Sequence, residues 1–261
     1  MNTDVLSYSA QPEEKVQIPI PGTSLHINGV LRGDWSKPVV ILMHGLPSSN
    51  RALLPFLGSK LLSEAGFSTL RLNMYDDAPG TRDMIDCLLQ THADDFDLVV
   101  EYVRSRGAPK IMAAGHSYGG LTILRSTAKL DAAVLWDPSS YKCSQEFDEK
   151  HRADDRPLRL EQEGIIVYRA GRGYLDPIAM TEERIKFADT PPEELAKKEY
   201  PMLFLAAGDG DLLPYIREYF AAANQPKELT VVKDASHGLD GTDPILFETF
   251  DKTTSFFKRY I

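Results

Sequence analysis

The stretch KIMAAGHSYGGLTILRSTAKL (residues 110–130) decides the fold of this chain. Its first five residues form an apolar run typical of a buried strand, and the residues after the pentad GHSYG (115–119) have helical character. A serine on such a strand–turn–helix connection sits in a strained turn with its hydroxyl above the sheet. The glycines two residues before and two after it let strand and helix pass closely. Ser117 is therefore the candidate nucleophile.

Apolar, strand-like runs alternate with helix-period segments from Lys37 to the C-terminus. In the range 96–103, for example, apolar residues recur at i, i+3, i+4 and i+7, which indicates an amphipathic helix. This alternation predicts an α/β fold with a mostly parallel central sheet and helices on both faces. The predicted strands are Pro38–Met43, Phe67–Met74, Lys110–Ala114, Ala132–Trp136, Met202–Ala207 and Leu229–Val232.

Two parts of the chain depart from this alternation. Apolar and polar residues alternate over 16–20 before a Pro-Gly turn, which predicts a β-hairpin at the entrance of the domain. Residues 139–200 are charged and aromatic, and they contain several glycines and a Pro-Pro pair. We expect this insertion to form a small lid over the sheet, with a helix around 144–162 and a hairpin around 165–186.

Length and composition exclude several classes of protein. The chain has 261 residues, 43% of them apolar, which predicts a single α/β domain over residues 1–261. Its formal net charge of −9 disfavours a nucleic-acid partner. No apolar run approaches the roughly 18 residues of a membrane span, and the first residues lack the features of a secretory signal. Together with only two cysteines, this predicts a cytoplasmic globular protein.

A serine hydroxyl is a poor nucleophile until a base removes its proton. Among the six histidines, His237 is the candidate base, because it lies in VVKDASHG (residues 231–238), just after the last predicted strand. In a fold whose serine lies on such a turn, the loop after the last strand is the place from which a base reaches the serine.

The acid that orients the base should follow a strand between the serine and the histidine. We favour Asp211 in the turn GDGD (residues 208–211), because it occupies a G-x-x-D position counted from the glycine that ends the strand. Asp209 in the same turn is one alternative. Asp137, directly after the strand AAVLW, is another, since an acid there also reaches the base. Turn aspartates commonly accept backbone N–H groups, and at least one of the three should have only that role.

Acyl transfer also requires donors for the developing oxyanion. The tetrapeptide HGLP (residues 44–47) follows the strand PVVILM, and Gly45 bends the backbone so that the Leu46 N–H faces the site. We expect this group to act with the N–H of Tyr118, the residue after the nucleophile. His44 is then structural.

Sequence signatures of cofactor and metal sites are missing from the chain. There is no G-x-x-x-x-G-K-[ST] phosphate loop, and the residues that follow GRG (171–173) do not continue a dinucleotide-binding motif. Neither H-E-x-x-H nor a cysteine–histidine cluster supplies metal ligands. We therefore expect neither a cofactor nor a metal.

With the nucleophile turn, the HG turn and the order Ser…Asp…His, the chain resembles the α/β-hydrolase superfamily over residues 15–261. Within it, the chain is similar to the serine aminopeptidase-like and cinnamoyl (feruloyl) esterase branch. The segments behind this closer resemblance are LHINGVL, HGLPSS, GIIVYRAGRGYLDP and PEELAKKEYPMLFLAAGDGD leading to ASHG. Members of the branch usually have one more residue between the acid and the next proline than the DLLP of this chain, which keeps Asp209 open as the acid.

The resemblance implies a serine hydrolase that cleaves carboxylic esters of small to medium acyl groups through an acyl-enzyme. A thioesterase, a lysophospholipase or monoacylglycerol lipase, and a peptidase are alternatives on the same triad. A hydrolase-fold binding protein with slow turnover is a further alternative, because fold alone does not fix function. Four tyrosines have two possible roles, to line an aromatic pocket or to pack the lid onto the domain: Tyr118, Tyr141, Tyr168 and Tyr174.

Overall fold

The computed structural model describes residues 12–76, 78–86, 88–142, 158–160, 165–168, 174–187 and 191–261. Within these ranges the strands are β1 (Glu13–Pro19), β2 (His26–Arg32), β3 (Val39–Met43), β4 (Ser68–Asn73), β5 (Ile111–His116), β6 (Ala132–Trp136), β7 (Leu158–Leu160), β8 (Ile165–Tyr168), β9 (Tyr174–Pro177), β10 (Met202–Ala207) and β11 (Lys227–Val232). The helices are α1 (Leu53–Glu64), α2 (Leu89–Ser105), α3 (Tyr118–Arg125), α4 (Ile178–Phe187), α5 (Pro191–Leu195), α6 (Leu213–Ala222) and α7 (Asp243–Phe257), with a 3₁₀ turn at Met84–Asp86.

The main sheet has eight strands in the order β1-β2-β4-β3-β5-β6-β10-β11. The β1–β2 and β2–β4 pairs are antiparallel, and all other neighbours in this sheet are parallel. The α/β fold with a mostly parallel sheet is therefore confirmed, and β1 and β2 form the expected entrance hairpin. The carboxyl ends of the parallel strands lie along one edge of the sheet, where the candidate site is built.

The strand Val39–Met43 shows how helices cover both faces of the sheet. Its five side chains have no exposed surface. The side chains of Val39, Ile41 and Met43 join a core that includes residues of α2, α3 and α6. Those of Val40 and Leu42 point to the other face and pack with residues of α1 and α7. Because successive side chains of a strand point to opposite faces, a continuous apolar run requires a core on each side. The four apolar residues predicted on one helical face in 96–103 are fully buried in the first of these cores.

The insertion between β6 and β10 contains a second sheet, in which β7, β8 and β9 pair antiparallel. The hairpin expected around 165–186 is present as β8 and β9, but the chain continues as helix α4 from Ile178. The helix expected around 144–162 is wrong at 158–160, which form β7, and its other residues lie outside the described ranges. Runs rich in β-branched residues such as IIVY favour strand pairing over a helix.

The buried carboxylate of Glu183 on α4 ties the insertion to the start of α2. Its two oxygens accept hydrogen bonds from the N–H groups of Leu89 at 2.5 Å and Gln90 at 2.9 Å. The hydroxyl of Tyr141 donates to the same carboxylate at 3.1 Å. The first N–H groups of a helix have no partner inside it, and a negative charge there is favourable. Glu183 therefore fixes α4 against the domain.

Candidate active site

Ser117 lies on the turn between β5 and α3, at the carboxyl edge of the main sheet. Its backbone has φ 53° and ψ −118°, a strained conformation for a residue other than glycine. The N–H of Ser117 donates to the carbonyl of Trp136 on β6 at 3.0 Å, and its carbonyl accepts from Leu121 at 3.1 Å. These bonds hold the strained turn between the sheet and the helix.

The glycines on either side of Ser117 allow backbones to approach closely. A Cβ atom on Gly115 would lie 2.6 Å from the carbonyl carbon of Gly119. A Cβ atom on Gly119 would lie 2.6 Å from the carbonyl oxygen of His44, just after β3. Both distances are far shorter than a van der Waals contact. The atoms concerned belong to the backbone, so they cannot rotate away as the end of a side chain can.

Gly119→Ala is expected to destabilise the protein by about 3 kcal/mol, because the added methyl group displaces the backbone after β3. For a domain of this size this loss lowers Tm by about 6–12 °C, which calorimetry measures directly. Gly241→Ala is the matched control, since its Cβ would meet only a side-chain carbon of Ile245, at 3.7 Å. Equal Tm values for the two variants would contradict the steric requirement at Gly119.

His237 reaches the nucleophile from the loop after β11. Its Nε2 lies 2.9 Å from Oγ of Ser117, and its side chain is 46% exposed. The carbonyl oxygen of His237 accepts a hydrogen bond from Nε2 of His116 at 2.8 Å, which ties the loop to the end of β5. The structure thus brings together the serine and the histidine that the sequence selected.

The carboxylate against His237 belongs to Asp137, and the expectation that Asp211 occupies this position is corrected. Oδ2 of Asp137 lies 2.6 Å from Nδ1 of His237, and the residue is completely buried. Its other oxygen accepts the N–H of Ala207 on β10 at 2.8 Å. Asp211 and its alternative Asp209 are exposed in the turn after β10.

The distance of each acid from the end of its strand explains this difference. Ser117 follows β5 and His237 follows β11, and both β6 and β10 lie between these two strands, so the strand order alone does not select the acid. Asp137 follows β6 without an intervening residue and is buried, whereas Asp211 lies beyond the end of β10 in an exposed turn. The sequence signal for Asp137 is an apolar strand that ends directly in an acid.

The segment after β3 passes beside the nucleophile. A Cβ atom on Gly45 would lie 2.9 Å from Cβ of Ser117 and 3.2 Å from Nδ1 of His116. Leu46 follows in this segment, and Tyr118 is the first residue of α3, where backbone N–H groups have no acceptor within the helix. The two residues chosen as oxyanion donors therefore lie on segments that border Ser117.

Three histidines near the site are held in the neutral form by burial. Burial lowers the pKa of His44 to about 4, of His92 to about 3 and of His116 to about 4. Nδ1 of His44 donates to the carbonyl of Gly45 at 2.8 Å, while its Nε2 accepts the N–H of Met74 at 3.3 Å. A ring that accepts at one nitrogen must be neutral.

These lowered pKa values predict that stability falls as the pH is lowered from about 6.5 to about 4. An unfolded histidine has a pKa near 6.5, so in this window the unfolded chain binds protons that the folded chain excludes. His92 packs between the rings of Tyr75 and Tyr118. His92→Phe is expected to reduce the slope of unfolding free energy against pH by up to about 1.4 kcal/mol per unit. Urea unfolding across the window measures both slopes, and identical slopes would contradict this expectation.

A buried apolar cluster joins α3 to the insertion. Tyr118 and Tyr141 belong to it and are 5% and 1% exposed, so they pack the insertion onto the domain. The side chains of Tyr168 and Tyr174 lie outside the described part of the chain. The members of the cluster are Leu89, Tyr118, Leu121, Tyr141 and Met180.

Two further polar residues at the site have no strong signal in the sequence. His116 holds the His237 loop, and Oγ of Ser139 lies 2.8 Å from Oγ of Ser117. His116 occupies the variable position of the GHSYG pentad, and Ser139 is the first of two adjacent serines after Asp-Pro. For Ser139, the sequence signal is its closeness to Asp137, one of the alternative acids.

Among the described residues, no group of three or more His, Cys, Asp or Glu side chains is arranged to hold a metal ion. Over the same parts of the chain, every helix is too short or too polar to cross a membrane.

The mostly parallel eight-stranded sheet with helices on both faces is the fold of an α/β hydrolase. The sequence profile of the Alpha/beta hydrolase family matches residues 40–247, which is most of the chain. The chain therefore belongs to the alpha/beta hydrolase family.

Several solved structures share the fold. Est1E from Butyrivibrio proteoclasticus, with ferulic acid bound, aligns with a TM-score of 0.74 at 18% identity, over 94% of this chain and 98% of its own. The alpha/beta hydrolase GrgF from Penicillium sp. sh18 gives a TM-score of 0.74 at 16% identity, over 95% and 99%. Dienelactone hydrolase from Anabaena variabilis gives 0.66 at 14% identity, over 96% and 98%. No curated protein matches the sequence significantly.

Proposed function

We propose that this protein is a serine hydrolase that cleaves carboxylic esters of small to medium acyl groups. The observation that carries the proposal is the continuous hydrogen-bonded series from Ser117 through His237 to Asp137, with contacts of 2.9 and 2.6 Å. Such a series supplies a nucleophile, a base and an acid that orients the base. Membership of the alpha/beta hydrolase family supports the same chemistry.

In the proposed cycle, Oγ of Ser117 attacks the ester carbonyl carbon while its proton moves to Nε2 of His237. The carbonyl electron pair moves onto oxygen, where the N–H groups of Leu46 and Tyr118 stabilise the oxyanion. Collapse of this intermediate expels the alcohol, which takes the proton from the imidazolium. Water then attacks the acyl carbon of the acyl-enzyme by the same steps, which releases the carboxylic acid and restores the Ser117 hydroxyl. Asp137 accepts the hydrogen bond from Nδ1–H of His237 and stabilises the imidazolium at both stages.

We further propose that the chain is a single domain in which residues 139–200 form a lid that shapes the acyl pocket. The contact of Glu183 with the start of α2 and the burial of Met180 against α3 support this role, because they place α4 beside the helix that follows Ser117. The ferulic acid in the Est1E structure supports including hydroxycinnamoyl esters among the substrates to be tested.

A panel of substrates tests the proposed function. p-Nitrophenyl esters from acetate to decanoate and methyl ferulate are assayed with wild type, and Ser117→Ala serves as the blank. Hydrolysis of at least one ester above this blank is the expected result, and the preferred chain length gives the size of the pocket. A matched acyl thioester, a monoacylglycerol, a lysophospholipid and an anilide extend the panel to the other leaving groups.

The outcomes of this panel separate the alternatives. Faster turnover of the thioester or the anilide than of any oxygen ester would replace the esterase proposal with a thioesterase or a peptidase. A preference for the two lipids would identify a lipase. Binding of these compounds without turnover would overturn the enzymatic proposal in favour of a hydrolase-fold binding protein.

A further inference from the structure

A second hydroxyl group contacts the nucleophile. Oγ of Ser139 lies 2.8 Å from Oγ of Ser117, and the N–H of Ser139 donates to the carbonyl of Ser117 at 3.0 Å. Ser139 follows Asp137 after one proline, so the loop that supplies the acid also supplies this hydroxyl. The nucleophilic oxygen therefore has two hydrogen-bond partners, Ser139 and His237.

The hydrogen-bond network assigns the direction of the contact between the two serines. The carboxylate of Asp137 only accepts hydrogen bonds, so Nδ1 of His237 carries the proton between them. In the neutral ring, Nε2 then accepts, and the hydroxyl of Ser117 must donate its one proton to it. Because the one proton of Ser117 is already donated, the hydroxyl of Ser139 must be the donor in the contact between the two serines, and Oγ of Ser117 accepts.

We propose that Ser139 is a catalytic residue that stabilises negative charge on Oγ of Ser117. During attack, negative charge develops on Oγ as the Ser117 proton passes to His237, and it moves onto the carbonyl oxygen as the bond to the acyl carbon forms. During deacylation the same bond breaks, and Oγ carries negative charge as it leaves with the electron pair and takes the proton from His237. A hydrogen bond to an ionised oxygen is about twice as strong as one to a neutral hydroxyl, so this donor favours both transition states over the resting state.

This inference rests on the proposed function, and it is tested by a reaction that needs no natural substrate. An alkyl fluorophosphonate reacts once with an active serine: Oγ bonds to phosphorus, the serine proton goes to His237, and fluoride leaves with the P–F electron pair. The second-order rate of this inactivation therefore reports the reactivity of Ser117 alone. Rates are compared for wild type, Ser139→Ala, Ser139→Thr and Ser140→Ala.

Ser139→Ala is expected to slow inactivation by about fivefold to tenfold, which is the difference between a charged and a neutral hydrogen bond. Ser139→Thr keeps a hydroxyl and is expected to restore the rate to within about twofold of wild type, given the same donor. Ser140→Ala, at the adjacent buried serine, is the control for the loop and should react like wild type. Tm values of all variants establish that each is folded.

The result that overturns the inference is an unchanged rate in Ser139→Ala. An equal loss in Ser139→Ala and Ser139→Thr also overturns it, because the effect would then follow from packing of the loop and not from the donor. Failure of the proposed function gives distinct results. Without a reactive serine, wild type itself would not be inactivated and no adduct would be found on Ser117, whereas a failure in ester cleavage alone appears in the substrate panel and leaves the comparison of inactivation rates intact.

Discussion

Ser117→Ala is expected to lower the rate of ester hydrolysis by about 10⁵-fold, and the remaining rate comes from substrate binding and the oxyanion donors. The methyl group cannot form the acyl-enzyme, and among the described residues the hydroxyl in contact with Nε2 of His237 is that of Ser117. Ser139 does not substitute, since His237 contacts Oγ of Ser117 and not that of Ser139. Initial rates on the best ester of the panel, at equal enzyme concentrations, measure the effect.

Ser105→Ala is the matched control for this expectation. Ser105 is an exposed serine at the end of α2, separated from the nucleophile turn by the whole of strand β5, and its hydroxyl donates to the carbonyl of Tyr102. Its variant should retain wild-type rates, because exposed substitutions rarely alter a distant site. Hydrolysis by Ser117→Ala at more than about one thousandth of the wild-type rate would show that another residue is the nucleophile.

Asp137→Asn is expected to lower kcat by about 10⁴-fold while the protein stays folded. The amide oxygen keeps the hydrogen bond to the N–H of Ala207, which leaves the amide NH₂ facing Nδ1 of His237. Nδ1 must then accept, so the proton moves to Nε2 and the ring no longer accepts from Ser117. The asparagine also carries no charge to stabilise the imidazolium.

The same substitution at Asp211 decides between the two acids. Asp211 is exposed and Asp137 is completely buried beside the base, so Asp211→Asn should change kcat by less than about twofold, as is usual for surface positions. If Asp211→Asn were the more damaging variant, the assignment of Asp137 would be wrong. Circular dichroism and Tm of both variants separate a loss of chemistry from a loss of fold.

The nucleophile and the base were predictable because their signals are local. Ser117 is marked by glycines at fixed distances on a strand–turn–helix, and His237 by its place after the last strand. The acid was not predictable in the same way, because Asp137 and Asp211 both follow apolar strands. Which of them meets His237 depends on where the loop after β11 places the imidazole, a long-range property that no local pattern contains.

The fold of the main sheet was predictable, and that of the insertion was less so. Runs such as that of β3 are too apolar for any place except a sheet buried on both sides. The strands of the insertion have only three or four residues each, and such short segments carry no clear period. Ser139 has only a weak sequence signal, its closeness to Asp137, since its proposed role follows from a contact with a residue 22 positions earlier in the chain.

Nucleophile and acid both lie in one β-α-β unit, β5-α3-β6, and the insertion begins only after this unit is complete. Asp137 is anchored to the backbone of β10, through the N–H of Ala207 and the carbonyl of Leu205. The part of the insertion that follows Ser139 is therefore an exchangeable module: it can be lengthened, shortened or replaced while Ser117, Asp137 and Ser139 keep their positions. Selection acting on this part can change which substrates enter the proposed site without rebuilding the residues of the proposed chemistry.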